Sequence, residues 1–196
     1  MAEISVEQIK KLKELSGAGL TDAKKALVEA KGDFDKALEA MRKKGLTKAE
    51  KRGDRETREG LVEAYIHDGR LGAIVEVNCE TSFVAKTDEF KTLAHQIAMQ
   101  IASMNPLYVS EADIPEEARK AKIKELEANF KGPENMKEKI LEGQMKKAFA
   151  DKVLMNQPYI LDDTKTVEQF IKEAIAKTGE NITIKQFKRI ELGVTE

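Results

Sequence analysis

The chain of 196 residues has no tryptophan, one cysteine and two histidines, and aromatic residues make up 5% of it. The single cysteine excludes an intramolecular disulfide and indicates a reducing compartment. The scarcity of aromatics argues against a base-stacking surface for nucleic acid. Basic residues number 34 and acidic residues 35, so the net charge of −1 lacks the excess of a dedicated nucleic-acid-binding protein.

No apolar run approaches the ~18 to 20 residues that a membrane span needs. The chain begins with an acidic, mixed segment, which predicts neither a signal peptide nor a transit peptide. Charged residues make up 35% and hydrophobic residues 41%, enough for a packed core. We therefore expect a soluble, cytoplasmic protein of one or two domains.

The motifs of phosphate-binding loops, dinucleotide-binding turns and zinc peptidases do not occur in the sequence. His67 and His95 lie on different predicted elements, so they do not form a metal-ligand pattern. Cys79 could act as a nucleophile with a distant histidine, but its inward-facing strand position favours a buried structural thiol. We predict no enzymatic chemistry, no cofactor and no metal site.

Residues 4–43 predict three short helices that form a docking module, which we assign to residues 1–44. Ser5 and Gln8 have capping-box spacing, and Thr21 is expected to cap the second helix. The third helix begins after Gly32 and Asp33. The predicted buried faces are Ile9, Leu12 and Leu15, then Ala23, Ala26, Leu27 and Ala30, then Phe34, Ala37, Leu38 and Met41.

Residues 42–58 lose this apolar rhythm and contain eight basic residues against three acidic ones. Two interpretations stay open, a solvated helical linker, which we favour, and a phosphate-binding patch. No aromatic residue interleaves the basic ones. We assign residues 45–59 to a basic linker and residues 60–196 to an α+β core.

Residues 61–67 and 70–78 flank Asp68 and Gly69, the signal for a β-hairpin with a type I′ turn. We expect His67 to face Arg70, which gives the hairpin one buried apolar face and one mixed face. The expected apolar face carries Val62, Ala64 and Ile66 opposite Val75, Ala73 and Leu71. The expected mixed face carries Glu63, Tyr65, His67, Arg70 and Glu76.

The remaining core predicts more helices and one further strand. Thr87 is expected to cap a long amphipathic helix that ends near Asn105 and Pro106. Residues 111–155 predict a charged helical hairpin that breaks at Gly132 and Pro133. A helix from about Val167 to Gly179 precedes a strand over 181–192, whose exposed character is compatible with a sheet-mediated dimer.

Phe83, Val84 and Ala85 form an apolar run where the second strand connects to the next helix, and such connections are normally polar. Phe83 could be a hydrophobic staple that folds back onto the core. Alternatively, it is an exposed plug for a pocket of a partner. Both interpretations stay open at this point.

Two long motifs stand out: residues 76–86 read E-V-N-C-E-T-S-F-V-A-K, and residues 12–27 read L-K-E-L-S-G-A-G-L-T-D-A-K-K-A-L. The first is similar to the signature E-V-N-C-x-T-D-F-V-A-K, and the second to L-R-x-x-T-G-A-G-M-x-D-x-K-K-A-L. Both are signatures of the elongation factor Ts family, the guanine-nucleotide exchange factors for elongation factor Tu, which this chain therefore resembles. Residues 179–182 and 191–193 also fit, so the resemblance covers nearly the whole chain, in the family's short form.

The resemblance implies a ubiquitin-associated-like three-helix module followed by a core that contains an exchange loop. That loop would enter elongation factor Tu, GDP-bound or nucleotide-free, and disturb the magnesium and phosphate site of the partner. The matching loop residues are Thr81, Ser82, Phe83 and Val84. The matching docking residues of the module are Gly17, Ala18, Gly19, Leu20, Asp22 and Lys24.

Ser82 departs from the family, which has aspartate there, so a negative charge is missing and only N-capping ability is kept. Some short members pair through a disulfide near the last strand, but the matching position is Lys188, which allows only a non-covalent homodimer. Two alternative functions remain. One is a non-catalytic scaffold for a ubiquitin-like or helical ligand, and the other is RNA binding by residues 42–58.

Overall fold

The computed structural model describes residues 4–16, 18–130, 132–133 and 136–194, with the backbone alone at 46–48. The chain forms two compact units. Unit 1 lies within Met1–Val62, Glu76–Ala94 and Gln169–Ile184, and unit 2 within Glu63–Val75, His95–Glu168 and Lys185–Glu196. The helices are α1 (Val6–Ser16), α2 (Leu20–Glu29), α3 (Phe34–Glu50), α4 (Ser82–Ala85), α5 (Asp88–Met104), α6 (Glu116–Ala128), α7 (Lys137–Ala150) and α8 (Val167–Thr178). The strands are β1 (Glu59–His67), β2 (Leu71–Cys79), β3 (Pro158–Tyr159), β4 (Asp162–Thr166) and β5 (Ile182–Glu191).

Helices α1, α2 and α3 pack around one apolar cluster, as the periodicity predicted. The predicted capping box is present, since Ser5 Oγ accepts from the Gln8 amide at 3.1 Å and Gln8 Oε1 accepts from the Ser5 amide at 3.0 Å. Asp33 caps α3 by accepting from the Lys36 amide at 3.1 Å. The buried cluster consists of Leu12, Ala23, Ala26, Leu27, Ala37 and Met41.

Three details of this region differ from the sequence predictions. Helix α2 begins at Leu20 with Gly19 at its N-cap, so Thr21 is not the cap. Leu15 is 53% exposed, so it does not belong to the buried face of α1. Helix α3 continues to Glu50, and its end contacts α8, where Glu50 Oε1 lies 3.4 Å from Lys172 Nζ. The division of the chain at residues 44 and 59 stays a prediction.

Strands β1, β2 and β5 form a three-stranded sheet in the order β1-β2-β5. The predicted hairpin turn is confirmed, because Asp68 and Gly69 have φ values of 49° and 66°, as a type I′ turn requires. The fold class is therefore α+β, with helices first and a mixed core after them.

The predicted faces of the hairpin are wrong for β1. Val62 is 63% exposed and Ile66 is 71% exposed, whereas Ala73 and Val75 of β2 are buried. A side-chain carbon placed on Gly72 would lie 3.7 Å from Ile66 Cγ1, so Ile66 shares the face of Gly72 and not that of Ala73. The pairing of β1 with β2 is therefore shifted by one residue from the predicted pairing, and such a shift moves every side chain of a strand to the opposite face.

The third strand is bound to the turn of this hairpin. The carbonyl of Arg70 accepts from the amide of Leu192 at 2.8 Å, which ties the turn to the end of β5. Of the residues assigned to the mixed face, Glu63 and Tyr65 are half-buried instead of solvated, and both contact His95 of α5. Helix α5 therefore covers the side of β1 that carries Glu63 and Tyr65.

Helix α5 has the predicted cap, since Thr87 Oγ1 accepts from the Phe90 amide at 3.2 Å. Its predicted apolar stripe is buried from Phe90 through Ala102. The predicted helical hairpin is confirmed as α6 and α7, and Phe149 anchors its base in a cluster with Ile114 and Val153. Within the described ranges, every helix is too short or too polar to cross a membrane.

Strands β3 and β4 were not predicted, because they are short and polar. They pair antiparallel, with Pro158 beside Thr166 and Tyr159 beside Asp162. Buried glutamines hold this ribbon in unit 2: Gln100 Oε1 accepts from the Ile160 amide at 2.8 Å, and Gln100 Nε2 donates to the Pro158 carbonyl at 3.1 Å.

Candidate functional site

The apolar connection between β2 and α5 is a short, ordered helical turn, α4. Thr81 is its N-cap, with extended backbone, and Thr81 Oγ1 accepts from the Val84 amide at 3.4 Å. The Ala85 amide donates to the Thr81 carbonyl at 3.2 Å, and Thr87 closes the turn by donating to the Val84 carbonyl. The cap is therefore Thr81, whereas the sequence suggested capping ability at Ser82.

The four residues of α4 divide into two that point inward and two that are exposed. Val84 and Ala85 are buried, and Ser82 and Phe83 face solvent. Phe83 is 80% exposed, the largest exposed fraction among the large hydrophobic residues that the structure describes. The staple interpretation is therefore wrong, because Phe83 does not pack on the core.

Two carboxylates hold the base of this turn, both in unit 1. Glu180 accepts from the Thr81 amide at 3.0 Å and from the Thr81 hydroxyl at 2.6 Å. Glu80 accepts from the Asn181 amide at 2.6 Å and lies 3.4 Å from Arg55 Nη1. Glu180 thus binds the segment after β2, and Glu80 binds the segment before β5. We call this group of contacts the root of α4.

Cys79 lies directly below the turn and is fully buried. Its thiol donates to the Thr81 carbonyl at 3.2 Å. Burial, together with the nearby charges of Glu180 and Glu59, raises the pKa of the Cys79 thiol to about 11. A thiol with this pKa is protonated at neutral pH. The buried position predicted for Cys79 is confirmed.

The two histidines lie around Tyr65 in unit 2. His95 Nδ1 is 2.9 Å from Glu63 Oε1, and His67 Nδ1 is 2.9 Å from the Tyr65 hydroxyl. The side chains of His67 and His95 are 59% and 48% exposed, so both lie at the rim of the packed region. In the part of the chain that the structure describes, no group of three or more histidine, cysteine, aspartate or glutamate side chains is arranged to hold a metal ion.

The predicted docking residues that the structure describes lie just before α2 and in its first half. Gly17 lies outside the described residues. Ala18 packs against the apolar cluster of the module, whereas Gly19, Leu20 and Lys24 are exposed. Asp22 is half-buried and its carboxylate lies 3.5 Å from Lys44 Nζ.

Sequence reasoning assigned no role to four residues at the root of α4: Arg55, Glu80, Glu180 and Asn181. The sequence does contain a signal for two of them, because residues 179–182 were matched to the family motif. Asn181 is buried, and its side-chain amide donates to the carbonyls of Gly53 and Arg55 at 3.2 and 2.8 Å. These contacts join segments over 100 positions apart, which local patterns do not reveal.

Comparison with known proteins identifies the family. A sequence model of the family described as Elongation factor TS matches residues 5–194. The chain belongs to the elongation factor Ts family. Elongation factor Ts of Thermotoga maritima is 52% identical over 193 residues, which cover 97% of each chain.

Two further relatives extend this similarity to other bacteria. Elongation factor Ts of Rippkaea orientalis is 52% identical over 199 residues, 98% of this chain and 80% of that protein. Elongation factor Ts of Thermoanaerobacter pseudethanolicus is 48% identical over 194 residues, 97% of this chain and 95% of that protein. The resemblance inferred from the motifs is confirmed, and with it a role as a translation elongation factor.

Proposed function

We propose that this chain is a guanine-nucleotide exchange factor for elongation factor Tu. It binds the GDP-bound partner, promotes release of GDP and holds the nucleotide-free form. This proposal rests on the exposed aromatic ring of Phe83, which an anchored turn presents to solvent. The ring is not packed in the core, and an exposed aromatic side chain of this kind is typical of a residue that binds in a pocket of a partner. Residues Thr81, Ser82, Phe83 and Val84 would enter the partner near its magnesium and phosphate site.

The ordered turn favours this use of Phe83. Binding segments that are already held in their bound shape lose less conformational entropy on association. Here α4 is capped at Thr81 and closed at Thr87, while its inward residues Val84 and Ala85 are packed. Phe83 is therefore presented by a fixed backbone, and no step of bond making or breaking is required of this chain.

The energy of one aromatic ring limits what Phe83 does alone. Burial of a phenylalanine contributes ~1.5 to 3 kcal/mol, or about one to two decades in an equilibrium constant. The factor must bind the nucleotide-free partner more tightly than the GDP-bound one, and by linkage GDP weakens the factor equally. We infer that a second anchor raises the effective concentration of the loop at its site.

The amino-terminal module is the proposed second anchor. Leu20 is 55% exposed at the start of α2, and a side-chain carbon placed on the preceding Gly19 would meet no atom within 4 Å. The turn can therefore approach a partner backbone closely. Ala18, Gly19, Leu20, Asp22 and Lys24 are the residues proposed to contact the nucleotide-binding domain of elongation factor Tu, together with Gly17.

Catalytic amounts of the chain are expected to accelerate the release of fluorescent GDP from elongation factor Tu, because each molecule leaves after exchange and acts again. Stopped-flow fluorescence with excess unlabelled GDP measures this rate. A scaffold for ubiquitin-like or helical ligands predicts no acceleration, and RNA binding by residues 42–58 predicts affinity that falls steeply with salt. An unchanged rate contradicts the exchange function. The cytoplasmic location stays a prediction.

A second copy of the chain is proposed as a further partner, at the open sheet face. This face of unit 2 is a groove lined by Ala64, Ile66, Ile74, Ile190 and Leu192, with Lys188 beside them. Ile66 and Ile190 are 71% and 74% exposed. Contiguous apolar surface of this kind marks an interface, and a sheet face can pair with its own copy across a twofold axis.

Substituting Ile190→Lys is expected to convert a dimer into a monomer, since two buried charges would face each other across the twofold axis. Sedimentation velocity over a concentration series measures the mass against the 21.9 kDa of one chain. The control is Leu107→Lys, which places the same charge at an exposed leucine of unit 2 outside the groove. A wild-type chain that stays monomeric throughout the series rules the dimer out.

A further inference from the structure

We propose that Glu180 is a positioning residue for the exchange loop, although it lies 99 positions beyond Thr81 in the chain. Its carboxylate sets the N-cap of α4 and thereby the direction in which Phe83 projects. The inference rests on the proposed function, in which Phe83 enters the partner. Glu180 itself need not contact the partner to act in this way.

Both oxygens of the Glu180 carboxylate bind Thr81. Oε2 accepts from the Thr81 amide at 3.0 Å, and Oε1 accepts from the Thr81 hydroxyl at 2.6 Å. Hydrogen bonds to an ionised acceptor are shorter and stronger than bonds between neutral groups. Two of them to one residue fix its backbone and its side chain together.

We call the two hydrogen bonds between Glu180 and Thr81 the clamp, and the hydroxyl of Thr81 connects it to α4. A hydroxyl has one proton to donate and two lone pairs to accept with. Because the proton is directed at Glu180, the oxygen is left as an acceptor for the Val84 amide, 3.4 Å away. The carboxylate therefore selects the one hydroxyl orientation that caps α4.

Glu180 is itself held from several sides within unit 1. Gly179 ends α8 with a φ of +80°, and the Glu180 amide donates to the Thr178 hydroxyl at 3.3 Å. The following residue, Asn181, is buried and bound to Glu80 and to the carbonyls of Gly53 and Arg55. Because these contacts fix Glu180 between α8 and Asn181, the clamp fixes the position of Thr81 relative to them.

Phe83 depends on this clamp because its own side chain is not packed on the core. Its ring is 80% exposed, and α4 has only four residues. An isolated helical turn of that length does not persist in water, since nucleation of a helix is unfavourable. The N-cap at Thr81 is therefore expected to decide how far the ring at position 83 samples other directions.

The first test uses the free full-length protein. The chain has no tryptophan, so Phe83→Trp introduces a single indole at the tip of the loop. Adding Glu180→Ala is expected to increase the amplitude of fast local motion in time-resolved fluorescence anisotropy. The control is Glu142→Ala on α7 in unit 2, which removes an equal charge and an ion pair in which Lys146 Nζ lies 3.0 Å from Glu142 Oε1. An unchanged amplitude with Glu180→Ala overturns the proposal.

The second test uses the exchange assay. Glu180→Ala is expected to slow GDP release by about tenfold, equivalent to ~1.4 kcal/mol, and Glu180→Gln by less because one acceptor oxygen remains. In a Phe83→Ala background the same substitution is expected to have no further effect. An equal loss in both backgrounds overturns the proposal, because Glu180 would then act on something other than the ring.

Two safeguards keep the outcomes separate. If Glu180→Ala prevents folding, Thr81→Val removes the hydroxyl contact from the other side, together with the cap on Val84, and is expected to raise the local motion. If Phe83→Ala leaves the rate of exchange unchanged, the role of the loop in the proposed function is wrong. The claim that Glu180 affects exchange through the loop is then wrong as well. The anisotropy of the free protein still reports whether Glu180 holds the loop.

Discussion

Phe83→Ala is expected to slow the release of GDP from elongation factor Tu by about ten- to a hundredfold, the equivalent of the ~1.5 to 3 kcal/mol that burial of the ring contributes. Phe83 is 80% exposed in the free chain, so its removal leaves the core intact. The rate of fluorescent GDP release at saturating factor measures the effect. Binding through the amino-terminal module should be retained, so the loss falls on the maximal rate more than on the half-saturating concentration.

Leu107→Ala is the matched control for this substitution. Leu107 is also exposed, at 55%, and lies in unit 2, outside the turn α4 and the module. It is expected to exchange GDP at the wild-type rate, and both variants should unfold at the wild-type temperature. A Phe83→Ala variant that exchanges as fast as the Leu107→Ala control would show that the ring does not act as a plug.

Gln100→Leu is expected to lower the free energy of unfolding by about 3 kcal/mol or more, since each buried polar group left without a partner costs ~1 to 3 kcal/mol. Gln100 and Gln157 are both fully buried in unit 2. Gln100 binds the Ile160 amide, the Pro158 carbonyl and Gln157 Oε1, the last at 3.1 Å. Leucine satisfies none of these groups, and urea unfolding followed by circular dichroism measures the loss.

Gln96→Leu is the control on the same helix. Gln96 lies one turn before Gln100 and is partly exposed, so leucine at this position does not break the buried network of Gln100 and Gln157. Its effect is expected to stay within ~0.5 kcal/mol, as for most surface substitutions. Equal stability of the two variants would contradict the importance of the glutamine network.

The helices of this chain were predictable because their signals are local. The capping pair of Ser5 and Gln8 and the cap from Thr87 to Phe90 each span three positions, and both are present. The buried stripe of α5 follows the same short-range periodicity. Even so, Thr21 was assigned a cap that Gly19 occupies, since helix ends depend on the preceding turn as well as on residue type.

The β-hairpin shows where local signals stop. The turn at Asp68 and Gly69 was predictable from two residues. The face of β1 was not predictable, because Val62 and Ile66 are exposed and α5 covers the opposite face through His95, which contacts Glu63 and Tyr65. Alternation defines two faces of a strand, but only its neighbours decide which face is covered.

The sequence by itself determined the helices, the hairpin turn, the scarcity of chemistry-bearing residues and, through residues 76–86, the family. Tertiary structure alone decided that Phe83 points into solvent and that α5 covers Glu63 and Tyr65. Only the tertiary structure shows that the Glu180 carboxylate accepts hydrogen bonds from the amide and the hydroxyl of Thr81. The physical reason is range: capping and periodicity act over three or four residues, whereas burial and the clamp at α4 depend on residues brought together from distant parts of the chain.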